Sequence, residues 1–211
     1  MSQRMRTPPT RRRWRGLLWC GAAVILPLLV ACSSGKAAPP RWSGVAYPQS
    51  VDEPSLRLAA TTKSRFELPE DADGRAVVLL FGTLRSPQAA TFLHALGAAA
   101  NELSSSQRER LMLVFATTDA AHDRMTDLVR ALKPIGDTGI DAVGVRGTFA
   151  LTEVAARSVQ VDVEPPDAAG RYQIFGPQAV GFGSSGQSKV AWNLTASQDD
   201  LEHDLAQLAH R

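Results

Sequence analysis

The sequence predicts an α/β sandwich, a central mixed sheet flanked by helices, and three observations carry that reading. Two continuous apolar runs, residues 75–82 and 110–118, have the composition of strands buried on both faces. Each is followed by a segment whose apolar residues recur at helical spacing. The last third of the chain then turns to short strand-like stretches broken by Gly and Pro, and closes on a helix. Strands alternating with helices imply βαβ crossovers and a mostly parallel centre. The late strand–turn–strand adds an antiparallel edge.

Taken in order, "RFEL" (Arg65 to Leu68) is a short strand ending in the turn "EDADG". The run 75–82 is the first central strand. A helix follows from about Pro87 to Leu103, with Phe92, Leu93, Leu96 and Ala100 on one face. Ser86 is a favoured N-cap, and Pro87 at the first helical position loses only a donor that has no partner there. "RLMLVFATT" (Arg110 to Thr118) is the second central strand, and a helix from about Ala121 to Leu132 is expected to stop before Pro134. "IDAVGV" is a third strand, and Thr148 opens a helix towards Ala156. "RYQIF" and "QAVGFG" read as short strands facing one another around Gly176-Pro177, followed by the strand "SKVAWNL". Ser197 starts the last helix with the capping-box-like "SQDD".

The N-terminus carries a different signal. Six arginines and no acid lie within residues 4–15, ahead of an apolar stretch from Gly16 to Ala31 that is broken by Pro27. That is the pattern of an export signal, too short for a comfortable membrane span. "LVAC" closes it at Cys32, ahead of the polar "SSGKAAPPRWSG", and resembles the lipobox of bacterial lipoproteins. The resemblance implies cleavage before Cys32, lipid attachment to its thiol and anchoring to the outer face of the cell membrane. "TRRRW" also resembles a twin-arginine signal, with ordinary Sec export as the alternative. The expected organisation is a signal over 1–31, a flexible tether over 32–54 and a folded domain over 55–211. Cleavage would leave 17 basic residues against 21 acids, so no basic patch argues for nucleic acid. Cys20 departs with the signal and Cys32 is blocked, which removes every free thiol from the mature chain.

The stretches "VVLLFGTLRSPQAATFLHAL" and "LVFATTDAAHDRMTDLV" resemble the SCO1/SenC family, from about Leu58 to Leu208. Members of that family are membrane-anchored thioredoxin-like proteins that deliver copper to cytochrome c oxidase or act as thiol reductases. Phe81 and Gly82 match its Phe-Gly, Pro87 matches the proline after its first cysteine, and Thr117, Asp119 and Asp123 match its Thr-x-Asp-Pro-x-x-Asp run. Thr91 lies near its threonines. The resemblance implies a thioredoxin-like α/β sandwich and places the two copper cysteines at Ser86 and Ala90. It places the copper histidine at Gly176 or, shifted by one, at Phe175. None of these is a soft ligand, and a cuprous ion prefers thiolate and imidazole to a neutral hydroxyl. The resemblance therefore implies a degenerate site, with no cofactor and no catalysis, and an enzyme working without cysteine at the same cleft is a further alternative. A surface of Arg85, Ser86, Pro87, Gln88, Ala90, Phe175, Gly176 and Pro177 would be left to bind a protein partner, such as a respiratory oxidase or a copper-handling protein. Thioredoxin-like proteins often carry a cis-proline near this turn, and Gly176-Pro177 is the candidate, with an ordinary trans Gly-Pro turn as the alternative.

Other chemistry-bearing residues are few. His94 and His122 are the candidates for a copper carrier built on non-cysteine ligands. His122, Asp119 and Asp123 fit a hard-metal or acid–base group, but the two acids fit helix initiation better. His203 and His210, seven apart on the last helix, are too distant for paired ligation and read as a solvated face. Ser86 lacks the Gly-x-Ser-x-Gly context of a hydrolase nucleophile, and "GFGSSG" lacks the lysine of a phosphate loop.

Overall fold

The two apolar runs do become the centre of the molecule. The computed structural model describes residues 41–165, 167, 172 and 176–210. The export signal, Cys32, Phe175 and most of the expected strand 171–175 lie outside the described residues. The strands are β1 (Val45–Ala46), β2 (Leu56–Ala60), β3 (Phe66–Leu68), β4 (Ala76–Gly82), β5 (Leu111–Thr117), β6 (Asp141–Arg146), β7 (Ala179–Phe182) and β8 (Ser188–Trp192). They form one sheet in the order β1-β8-β7-β4-β5-β6-β2-β3. Only β4, β5 and β6 run parallel to one another, and every other pairing is antiparallel. The sheet is mixed, but less parallel than the sequence implies, because short antiparallel strands extend it on both sides.

Each central strand feeds two cores. Val78, Leu80, Leu113 and Phe115 point to one face, under the helices α1 (Pro87–Glu102), α3 (Met125–Gly136) and α5 (Gln198–Leu208). Val77, Leu79, Phe81, Met112 and Val114 point to the other, under α4 (Phe149–Ser158) and β2–β3. The remaining helix, α2 (Ser105–Arg108), is a single turn with a capping box at Ser104. At roughly 1.5–3 kcal/mol for each fully buried large apolar side chain, this two-sided burial is the main stabilising contribution. Ser86, Thr148 and Ser197 cap their helices through side-chain oxygens, as the sequence implies. No described helix is long and apolar enough to cross a membrane.

Three expectations need correction. First, α3 starts at Met125 and runs through Pro134. Residues 119–123 are drawn into a tight loop, with the His122 and Asp123 amides both bonded to the Asp119 carbonyl, at 3.1 and 2.9 Å. Pro134 deprives the Arg130 carbonyl of its helical donor, but both residues are exposed and water can replace the bond. Secondly, β7 pairs with β4 on one side and β8 on the other, so no edge is left for a hairpin with 171–175. Thirdly, residues 41–54 of the expected tether belong to the folded unit. β1 pairs with β8, the Ser188 amide bonds to the Val51 carbonyl at 2.9 Å, and Asp52 bridges Gln187.

The anchor of this strap is Asp204 on α5, which is fully buried. Its carboxylate accepts from the Ser43 amide at 2.8 Å, the Gly44 amide at 2.9 Å and the Trp192 indole Nε1 at 2.8 Å. The strap crosses β8 so closely that a Cβ on Gly44 would lie 2.7 Å from both the Ala191 carbonyl oxygen and Trp192 Cδ1. Three charge-assisted bonds thus satisfy a carboxylate that would otherwise be costly to bury. Asp204→Ala is expected to destabilise the chain by about 3 kcal/mol, because it leaves three donors unpaired. Urea unfolding followed by Trp fluorescence measures this, and a loss within about 0.5 kcal/mol would contradict the anchoring role.

Candidate functional site

The loops that follow β4 and β5 emerge side by side at the C-terminal edge of the parallel strands, where open α/β sheets place their ligands. The loop after β4 is Thr83–Ser86, and the loop after β5 is Thr118–Arg124. A buried carboxylate joins them. Asp123, 2 % exposed, accepts from Thr117 Oγ1 at 2.5 Å, the Leu84 amide at 3.1 Å and Thr83 Oγ1 at 3.3 Å. Thr83 Oγ1 in turn accepts from the Arg85 amide at 3.2 Å, and Thr117 Oγ1 from the Asp119 amide at 3.0 Å. Burial raises the Asp123 pKa above the ordinary aspartate value, although the same donors pull it down. Neither Asp119 nor Asp123 initiates a helix: the residue at the N-cap of α3 is Arg124, with no side-chain cap bond. Asp123 works instead as a tie between loops.

Asp119 is the centre of the outer half of the site. Its carboxylate lies 2.9 and 2.8 Å from His122 Nδ1, 3.9 Å from an Arg85 guanidinium nitrogen, and accepts a hydrogen bond from the Tyr172 hydroxyl. Burial pushes its pKa up, but the hydrogen bonds from Tyr172 and His122 outweigh it and hold the group below the usual carboxylate range. Burial and the Asp119 carboxylate push the Tyr172 phenol up to about 12, so it remains a donor across the physiological range. Nothing in the sequence pattern singles out Tyr172, which sits 53 residues from its partner.

Ser86 is buried, and both functions of its hydroxyl are used. It accepts from the Ala89 amide at 3.3 Å and donates to Gln88 Oε1 at 3.0 Å. Its hydroxyl is thus committed to the helix cap and to Gln88, and not to His122. Pro87, Gln88 and Ala90 are exposed on the first turn of α1, and His94 is exposed further along it. Gly176 is exposed with φ +65°, and Pro177 is half-buried beside Gln178. The cis peptide bond among the described residues precedes Pro69, so Gly176–Pro177 is trans. The structure therefore gathers Arg85, Ser86 and His122 at one edge. A cavity of about 20 Å³ between Gly82, Thr83, Ser86, Tyr172 and Gln178 is room for one water molecule. Among the described residues no group of three His, Cys, Asp or Glu is placed to hold a metal ion.

The fold has counterparts among solved structures. Apo Sco1 from Thermus thermophilus superposes with a TM-score of 0.66 at 20 % identity, covering 81 % of this chain and 99 % of its own. The fold is Sco-type. A SCO1/SenC family lipoprotein from Bacillus anthracis gives a TM-score of 0.62 at 15 % identity, covering 76 % of this chain and 96 % of that one. Yeast Sco1 gives 0.58 at 21 % identity, covering 74 % and 96 %. No protein-family model and no curated protein matches the chain. The structural likeness confirms the thioredoxin-like sandwich that the sequence implies.

The residues at the junction do not fit the cuprous ion that the resemblance would bring. Ser86 offers a neutral hydroxyl already engaged in a helix cap, and Ala90 offers a methyl group. The arrangement presents the exposed Arg85 guanidinium and His122 imidazole over the buried Asp119 carboxylate. Tyr172→Phe removes one of the bonds that hold Asp119 ionised, so its titration is expected to move up towards the ordinary aspartate value. A carboxylate with a lowered folded pKa adds stability above its unfolded pKa and loses it as pH falls through the folded one. The variant should therefore be less stable than the wild type above the unfolded pKa and lose less stability as the pH falls through the acid range. Carboxyl ¹³C NMR titration and urea unfolding between pH 2 and 6 measure both effects, and an unchanged Asp119 titration would contradict the network.

Proposed function

We propose that this chain is a SCO1/SenC-type lipoprotein, exported and anchored to the bacterial cell membrane through Cys32, that acts without catalysis as a binding or assembly factor. Cytochrome c oxidase biogenesis or copper homeostasis is the process that the resemblance favours. The observation that carries this reading is the junction after β4. It has a strand, a turn and a helix capped by Ser86, and the sequence resemblance puts Ser86 and Ala90 at the two cysteine positions of a CxxxC site. The turn is held by Asp123 and the Ser86 cap, and so needs neither metal nor disulfide for its shape. What it presents outward is Arg85, Pro87, Gln88 and Ala90, with Asp119 and His122 beside them. A partner protein that reads this edge, such as an oxidase subunit or a copper-handling protein, supplies the reaction.

A copper carrier using His94 and His122 is the second reading. Its support is the pairing of His122 Nδ1 with Asp119, since metal-ligating histidines commonly hold a carboxylate at the other ring nitrogen.

Copper loading separates the two. The purified chain, incubated with Cu(I) or Cu(II) and desalted, is expected to retain well under one equivalent of metal. Stoichiometric copper that is lost in His122→Ala would overturn the first reading in favour of the second. In membranes, Arg85→Ala and Gln88→Ala are expected to reduce co-purification of a partner at least several-fold. Unchanged recovery would remove this edge as the docking surface.

A further inference from the structure

At the end of the sheet opposite the C-terminal edge of β4 lies a cavity of about 360 Å³, between the 3₁₀ turn Glu70–Ala72 and the β7–β8 hairpin. Its walls include Pro69, Ala72, Gly74 and Gly186, and its rim the exposed Ser184 and Ser185. Into it faces Glu53, whose side chain belongs to a residue only 9 % exposed. Among the described residues Glu53 Oε1 is the buried side-chain polar atom without a hydrogen-bond partner. The backbone holds this residue in place, because the Glu53 amide bonds to the Gly186 carbonyl at 2.9 Å. A Cβ on Gly186 would lie 3.9 Å from Glu53 Oε2, and beside Gly74 there is open space.

Among the described residues the carboxylate also lacks a counter-ion. Arg75, the cation lining the cavity, is committed elsewhere: to the Ala72 carbonyl at 3.0 Å, the Asp71 carbonyl at 3.2 Å and the Asp141 carboxylate at 2.9 Å. Asp52, the other acid on the cavity, accepts from the Gln187 side-chain amide. Buried polar groups in folded proteins are nearly always satisfied, and a carboxylate without a cation is among the more costly exceptions.

We propose that this cavity binds an aliphatic primary ammonium group, with the Glu53 carboxylate as its counter-ion, Ser184 and Ser185 as additional acceptors, and Pro69 and Ala72 against the alkyl stem. An ammonium suits the site better than a metal ion. Hard divalent cations take six or more oxygens, usually several of them carboxylate. Of the two carboxylates on this cavity Asp52 already accepts from Gln187, which leaves Glu53 with one oxygen sealed from solvent, in a space far larger than an ion. The ammonium comes either from a free small amine or from a lysine side chain of a partner, and the chemistry of recognition is the same.

The test uses the purified full chain and its Glu53→Gln variant, titrated with n-butylammonium chloride and, in parallel, with Nα-acetyl-lysine-N′-methylamide. Saturable shifts of the Glu53, Gly74 and Gly186 amides in NMR spectra are expected for the wild type. Affinity should fall about ten-fold in the variant, as expected when a charge-assisted acceptor becomes a neutral amide. Tighter binding of the lysine derivative would assign the site to a protein partner, and equal or weaker binding to a free amine. A readout on the wild type alone removes dependence on the variant's folding. Burial pushes the Glu53 carboxyl up to about 7, so capture of the ammonium at neutral pH releases a proton from it to the buffer. Calorimetry at pH 7 in two buffers of different ionisation enthalpy detects that proton. Absent saturation at these amides, equal affinity in Glu53→Gln, no proton release, or preferential saturation of the same amides by calcium chloride would each overturn the proposal.

Discussion

The junction depends on a single carboxylate placed where two strands end. Parallel β4 and β5 deliver their following loops to one edge, and the Leu84 amide and two threonine hydroxyls there have no ladder to join. Asp123 takes all three. Its burial makes the ionised form less favourable, and the donors are what make a carboxylate tolerable at that depth. From this tie follow the course of Thr83–Ser86, the position of Ser86 at the head of α1, and the tight loop that brings His122 to the surface over the buried Asp119. At the other edge Asp204 does comparable work, fastening the strap 43–44 to β8 through two amides and an indole.

Seen this way, the residues that carry the family resemblance divide by what they do. Thr117 and Asp123 match the motif and hold the loops together. Pro87 matches and opens the helix. The positions where chemistry would be expected, Ser86 and Ala90, contribute a cap and a methyl group. Loops already tied by internal hydrogen bonds leave less ordering to be done on binding, which favours recognition. The exposed Arg85 guanidinium and His122 imidazole, both held against the buried Asp119 carboxylate, suit a polar partner face more than an apolar one.

The sequence revealed the elements whose signals are local. The runs over β4 and β5 are apolar up to their C-terminal ends because both faces are covered, and Ser86, Thr148 and Ser197 announce helices through capping chemistry that needs only the next three residues. It did not reveal features made by distant partners. Residues 41–54 have the composition of a tether, and only their pairing with β8 and the Asp204 carboxylate, 160 residues away, turns them into structure. Asp123 resembles a helix-starting acid until the Leu84 amide, 39 residues earlier, is brought against it. Pro134 reads as a helix stop, yet near an exposed helix end its missing donor costs little.

Hydrogen bonds from the Leu84 and Ala89 amides to Asp123 and Ser86 organise the junction after β4. Amide hydrogen exchange at Leu84 and Ala89 measures this most directly, since these two donors are held by Asp123 and Ser86. The account predicts that both amides are protected in the metal-free chain and that neither Cu(I) nor a thiol oxidant changes their exchange. Exchange at the unprotected rate until copper is added, with protection appearing only then, would contradict it.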